Sequence, residues 1–158
     1  MKKHDAILRM LCLTLLVASI GSLALPSVAQ CQVPARLFTT AGNSIIQTGT
    51  GAPPTWCVEV EPIGGDFNVT DIDFSTVLLI SPGTGSVSQI PHSGSILVSD
   101  MDGNGIQDAR VCFSKADLQA LFSNFHGNKL RTVTVTLQGN LFTGGSFSGQ
   151  LTIQVDPH

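Results

Sequence analysis

The nine residues from Asp100 to Asp108, Asp-Met-Asp-Gly-Asn-Gly-Ile-Gln-Asp, set oxygen-bearing side chains at loop positions 1, 3, 5 and 9 and a glycine at position 6. A hard cation such as Ca2+ takes about six to eight oxygens at roughly 2.3–2.6 Å. A short loop supplies them when alternate residues point inward and glycine takes the sharp turn. The expected ligands are the side chains of Asp100, Asp102, Asn104 and Asp108, the backbone carbonyl of Ile106, and water. Without an ion, the same stretch is an acidic, Gly-rich surface turn whose carboxylates repel one another. The loop is not an EF-hand, because Val111 stands where that motif needs a bidentate Glu. It runs instead into Ala109-Arg110-Val111-Cys112-Phe113, where Val111 and Phe113 alternate with Arg110 and Cys112 as in a half-buried strand. A cation held where a loop enters a sheet is structural.

The elements that must position this loop read as short strands between Gly- and Pro-rich breaks. Strands are expected around Ser44–Gln47, Trp56–Glu61 and Ser75–Ile80, with residues 67–73 as a connection and Ser95–Val98 leading into the loop. Val133, Val135 and Leu137 alternate with threonines, and Leu151, Ile153 and Val155 alternate with Thr152 and Gln154. The segment between, with Gly144-Gly145 at its tip, makes these two a hairpin. Ser114-Lys-Ala-Asp117 predicts a capping box, and Leu118, Leu121 and Phe122 predict a short helix from Lys115 to about Ser123. The expected fold is mostly β: a single antiparallel, Ig-like β-sandwich with one short helix after the calcium loop.

The N-terminus reads as a targeting leader. Lys2, Lys3 and Arg9 precede an apolar run from Leu11 to Leu25, and Ser27-Val28-Ala29 places small residues at a cleavage site after Ala29. That run, about 15 residues, is short for a bilayer span of about 20. Gln30 makes a poor lipidation site of Cys31. The expected organisation is a signal peptide at 1–29, an N-terminal extension at 30–43 and the calcium-loop domain at 44–158. The chain after Ala29 carries five basic and ten acidic side chains, a net charge of −5. With no basic stripe, nucleic acid and anionic membranes are poor partners.

An exported chain meets an oxidising compartment, so a disulfide among Cys31, Cys57 and Cys112 is expected. Cys57 alternates with Val58 and Val60, and Cys112 with Val111 and Phe113, which puts both thiols on the outer faces of their strands. Cys57–Cys112 is the favoured pairing and Cys31–Cys57 the rival.

These landmarks carry a resemblance. Cys57-Val-Glu-Val60, Val69-Thr-Asp-Ile-Asp-Phe-Ser-Thr-Val-Leu78, the loop running into Val111-Cys-Phe113, Leu137-Gln-Gly-Asn-Leu141 and Gly145-Ser-Phe-Ser-Gly149 resemble a calcium-loop β-sandwich module of exported and cell-surface proteins of bacteria and archaea. The loop itself is similar to those of FG-GAP repeats. Asn104 departs from the commoner Asp, which implies weaker affinity. The resemblance implies no catalytic residues.

The sequence also lacks a catalytic pattern of its own. His92, His126 and His158 lie in loops without a nucleophile elbow or an HExxH spacing. Asp66, Asp71, Asp73, Glu59 and Glu61 offer a second acidic group, with turn hydrogen bonds as the simpler role for Asp71 and Asp73. Trp56 with Phe67 or Phe147 would make a sugar platform if exposed and core if buried. The expectation is a non-catalytic, secreted, periplasmic or cell-surface domain with structural Ca2+, acting on a protein or glycan partner. The alternative is a small carbohydrate-binding module.

Overall fold

A computed structural model describes residues 31–40 and 43–158; the expected leader, residues 1–29, lies outside them. Nine strands form: β1 (Gln32–Phe38), β2 (Ile45–Gln47), β3 (Thr55–Pro62), β4 (Ile72–Ile80), β5 (Gln89–Pro91), β6 (Leu97–Ser99), β7 (Asp108–Ser114), β8 (Arg131–Leu141) and β9 (Ser146–Asp156). Among these residues one α-helix, α1 (Lys115–Leu121), follows β7, and a single 3-10 turn spans Val69–Asp71. The mostly-β class and the helix after the loop are as expected. Ser114 caps α1 by accepting from the Asp117 N–H at 3.1 Å, while the Asp117 carboxylate accepts from the Ser114 hydroxyl rather than from backbone.

The strands pair in the order β5-β4-β8-β9-β1-β3-β7-β6, with β2 joining β9 from outside this path. The expected β8–β9 hairpin forms, with Arg131 opposite Val155 and Asn140 opposite Ser146. The pairings of β9 with β1 and β2 are parallel; the others are antiparallel. β1 divides its length: Gln32–Pro34 run beside β9, and Ala35–Phe38 run beside β3. Pro34, which has no N–H to donate, sits where the strand changes partner.

β1 therefore belongs inside the sheet, although residues 30–43 read from sequence as an extension. A seven-residue run interrupted by Pro34 and Arg36 carries too little pattern to register as a strand. β5 escaped for a similar reason, since its three residues bury only Ile90.

On β3, Trp56, Val58 and Val60 face the core together with Ala109, Val111 and Phe113 of β7, and β8, β9 and α1 add Val135, Leu137, Phe147, Ile153, Leu118 and Leu121. The opposite face of the β3–β7 pair carries Cys57, Glu59 and Glu61 against Cys112, Arg110 and Asp108. Cys57 lies directly opposite Cys112 and Glu59 opposite Arg110. The Cys57–Cys112 disulfide forms as expected. This face is less open than the alternation implies: Glu59 and Glu61 are buried. The chain of and after β1 covers them. The Thr40 N–H donates to Glu59 Oε2 at 3.2 Å, Arg36 donates to Glu61 at 3.0 Å, and Arg110 pairs with Glu59 at 2.8 Å.

The bridge closes a sequence separation of 55 residues, for which chain-entropy arithmetic gives about 4 kcal/mol of constraint on the unfolded state. The double variant Cys57→Ser/Cys112→Ser is expected to lose about 2–4 kcal/mol in urea unfolding, with peptide mapping of the wild type recovering the Cys57–Cys112 pair. An unchanged midpoint, or a Cys31–Cys57 peptide, would contradict this.

Candidate metal centre

The 100–108 loop is organised by its own carboxylates. Asp100 Oδ1 accepts from the N–H groups of Gly103 and Asn104 at 2.8 and 3.1 Å, and its Oδ2 from Gly105 at 2.9 Å. Asp102 Oδ1 accepts from the Asn104 N–H at 3.2 Å, and Asn104 Oδ1 from the Ile106 N–H at 2.8 Å. Short side chains that capture N–H groups a few residues on are the means by which Asp and Asn stabilise turns. Gly103 and Gly105 take φ of 76° and 87°, a region in which a Cβ is strained. Asp108 Oδ2 closes the loop by accepting from the Met101 N–H at 2.8 Å.

Asp102, Asp108 and a residue from outside the loop, Glu61, each bring a carboxylate oxygen within 4.8 Å of the others. The β3–β7 register explains Glu61. Val60 lies opposite Ala109, so the next position sets Glu61 abreast of Asp108 on the outer face. Arg36, paired with Glu61 across β1 and β3, sends Nη1 to Glu61 Oε1 at 3.0 Å, to Glu61 Oε2 at 3.1 Å and to Asp102 Oδ2 at 2.7 Å. Asn104 Nδ2 donates to Glu61 Oε2 at 2.6 Å.

Of the ligands expected from spacing, the structure brings Asp102 and Asp108 together. Asp100 accepts from loop N–H groups, Asn104 turns its NH2 toward Glu61, and the Ile106 N–H donates to Asn104. Glu61 was not among the ligands expected of the loop, and a cue for its place beside Asp108 existed. Two cysteines directly opposed at 57 and 112 in an antiparallel pair place Glu59 against Arg110 and, one alternation further, Glu61 against Asp108.

The cluster fits a cation. Asp108 is 0 % exposed, and its Oδ1 is buried with no hydrogen-bond partner. A buried acceptor left unpaired is costly, and here it belongs to a carboxylate grouped with two others. Burial raises the Asp108 pKa above its ordinary value and the Met101 N–H lowers it; the Glu61 carboxyl, which shares a hydrogen bond with Asp108 when one of the two is protonated, and the charges of Glu61 and Asp102 raise it again. A divalent ion would reverse that penalty, since metal binding favours the deprotonated ligand. The donors are all oxygens, which suits a hard cation and not a thiolate- or imidazole-seeking metal.

Among the described residues no second such acidic group occurs. Asp71 accepts from Asn68 N–H at 3.2 Å, Asp73 from Ser75 N–H at 3.1 Å, and Glu59 belongs to Arg110. Trp56 is 4 % exposed with its indole N–H donating to the Asn43 carbonyl at 2.8 Å, and Phe67 stacks on Phe147 inside the core. These aromatics form no open platform. No protein-family model, no curated protein and no solved structure matches this chain.

Asp108→Asn keeps an acceptor for the Met101 N–H but removes a buried charge beside Glu61. In chelator this variant is expected to melt at or above the wild-type temperature, while the Ca2+-induced rise in melting temperature is lost. Retention of the full rise would exclude Asp108 as a ligand.

The pH dependence has a fixed sign. Because the native Asp108 pKa is raised, the chelated protein holds the proton more tightly when folded, so its stability falls as pH rises from the ordinary carboxylate value through the raised one. A bound Ca2+ would replace that proton, so a Ca2+-induced rise would grow over the same window. Melting curves with and without Ca2+ at stepped pH test this; a rise that shrinks with increasing pH would contradict it.

Proposed function

We propose that this chain is a non-catalytic, exported domain, stabilised by one structural Ca2+, that works through contacts of its surface as an adhesive or matrix component. The observation that carries the metal assignment is the buried, unpartnered Asp108 Oδ1 within the Glu61–Asp102–Asp108 group. Glu61, Asp102 and Asp108 supply carboxylate oxygens, and loop carbonyls and water complete a shell of the size Ca2+ takes. Export is supported by the leader-like sequence before Gln30 and by the disulfide, which is rare in reducing compartments. Among the described residues no helix is long and apolar enough to cross a membrane.

The carbohydrate-binding alternative rests on aromatics that could stack on a sugar ring. Burial of Trp56 removes the strongest candidate, and Phe142, 73 % exposed at the β8–β9 turn, is the open aromatic among the large exposed hydrophobics. One ring at a hairpin tip is a poor platform, so the protein-contact reading is favoured.

A ligand that binds only the native state raises stability by RT ln(1 + [L]/Kd), about 2.7 kcal/mol at a hundredfold excess over Kd. Wild-type protein is therefore expected to melt higher in Ca2+ than in chelator, and Asp102→Ala to lose most of that gain. Equal wild-type melting in both buffers would overturn the metal assignment.

A further inference from the structure

We propose that Arg36 is a built-in counter-cation that competes with the divalent ion for the Glu61–Asp102–Asp108 group, and so sets the affinity of the site. This inference rests on the metal reading above. One nitrogen, Nη1, bridges Glu61 and Asp102: it lies 3.0 and 3.1 Å from the two Glu61 oxygens and 2.7 Å from Asp102 Oδ2. A Ca2+ ion coordinates oxygen at about 2.3–2.6 Å. Whichever Glu61 oxygen it takes, the ion would stand within about 6 Å of Nη1 in the present arrangement. That is inside the screening length of physiological salt, about 8 Å, and one side of the pair is a buried carboxylate. The two cations therefore repel through the same anions.

Positioning is the other role Arg36 could fill, and the structure supplies it by different means. Glu61 is fixed by the β3–β7 and β1–β3 registers. Asp102 is tied by the Asn104 N–H and by a loop that Asp100 organises. Arg36 is itself anchored elsewhere: its guanidinium lies 4.4 Å from the centre of the Phe38 ring, a cation–π contact. It can withdraw from the carboxylates without losing all support. What it adds at the site is charge. The coupling is reciprocal: the factor by which Arg36 weakens Ca2+ binding is the factor by which Ca2+ loosens Arg36.

The test is calorimetric titration of the purified protein with CaCl2, comparing wild type with Arg36→Gln and Arg36→Lys. Arg36→Gln is expected to bind Ca2+ more tightly by on the order of tenfold, within the usual range of site couplings, while melting lower than wild type in chelator. Arg36→Lys, which keeps the charge, is expected to stay closer to wild type than Arg36→Gln does. A second measurement uses the wild type alone. Side-chain NMR of the Arg36 guanidinium should show its hindered rotation relieved when Ca2+ is added. Unchanged or weaker Ca2+ binding by Arg36→Gln, or a guanidinium signal indifferent to Ca2+, overturns the proposal while leaving the metal site standing. No Ca2+ binding by the wild type overturns both.

Discussion

Two carboxylates set side by side on a buried strand face are the constraint around which this structure is arranged. Glu61 and Asp108 lie abreast because β3 and β7 pair in the register that also opposes Cys57 to Cys112 and Glu59 to Arg110. Like charges at that separation, shielded from water, repel, and together with burial this holds the Asp108 carboxyl above its ordinary pKa. The surrounding parts read as compensation for that cost. Arg36 on β1 reaches Glu61 and Asp102, Met101 and Asn104 donate hydrogen bonds, and the loop brings Asp102 to complete a group that a divalent ion can hold.

Along the outer face of β3 and β7 the three opposed pairs form successive rungs. The first is covalent, Cys57–Cys112; the second is ionic, Glu59–Arg110 at 2.8 Å; the third is the acidic pair with its counter-charges. The core face of the same strands is wholly apolar, from Trp56 to Val60 and from Ala109 to Phe113. The two strands are thus joined by hydrophobic burial on one side and by bond, ion pair and the proposed cation site on the other. If the acidic group holds an ion, fold stability and cation binding meet at one ladder, which favours a structural role for that ion over a catalytic one.

Much of this arrangement is legible in the sequence alone. Period-two alternation located β3, β7, β8 and β9, the Ser114 cap located α1, and the 100–108 spacing located the loop, because each depends on neighbours in sequence. The cysteine pairing was legible from alternation and compartment together. β1 was not, because Pro34 and Arg36 interrupt it and its partners lie far along the chain. Nor was Glu61 as part of the site, since it is brought to Asp108 by strand register rather than by spacing. Asp100 shows the converse limit: a carboxylate at the first loop position can serve an ion or the loop's own N–H groups, and spacing is the same in both cases.

The most direct measurement is diffraction from crystals grown with Ca2+ or soaked in a heavier lanthanide stand-in such as Tb3+, read by anomalous difference density. One strong peak within direct coordinating distance of Glu61, Asp102 and Asp108, with the Arg36 guanidinium drawn away from them, is the expected result. A peak held by the loop alone with Glu61 still bound to Arg36, or no peak at all, would contradict a cation centre built on the β3–β7 ladder.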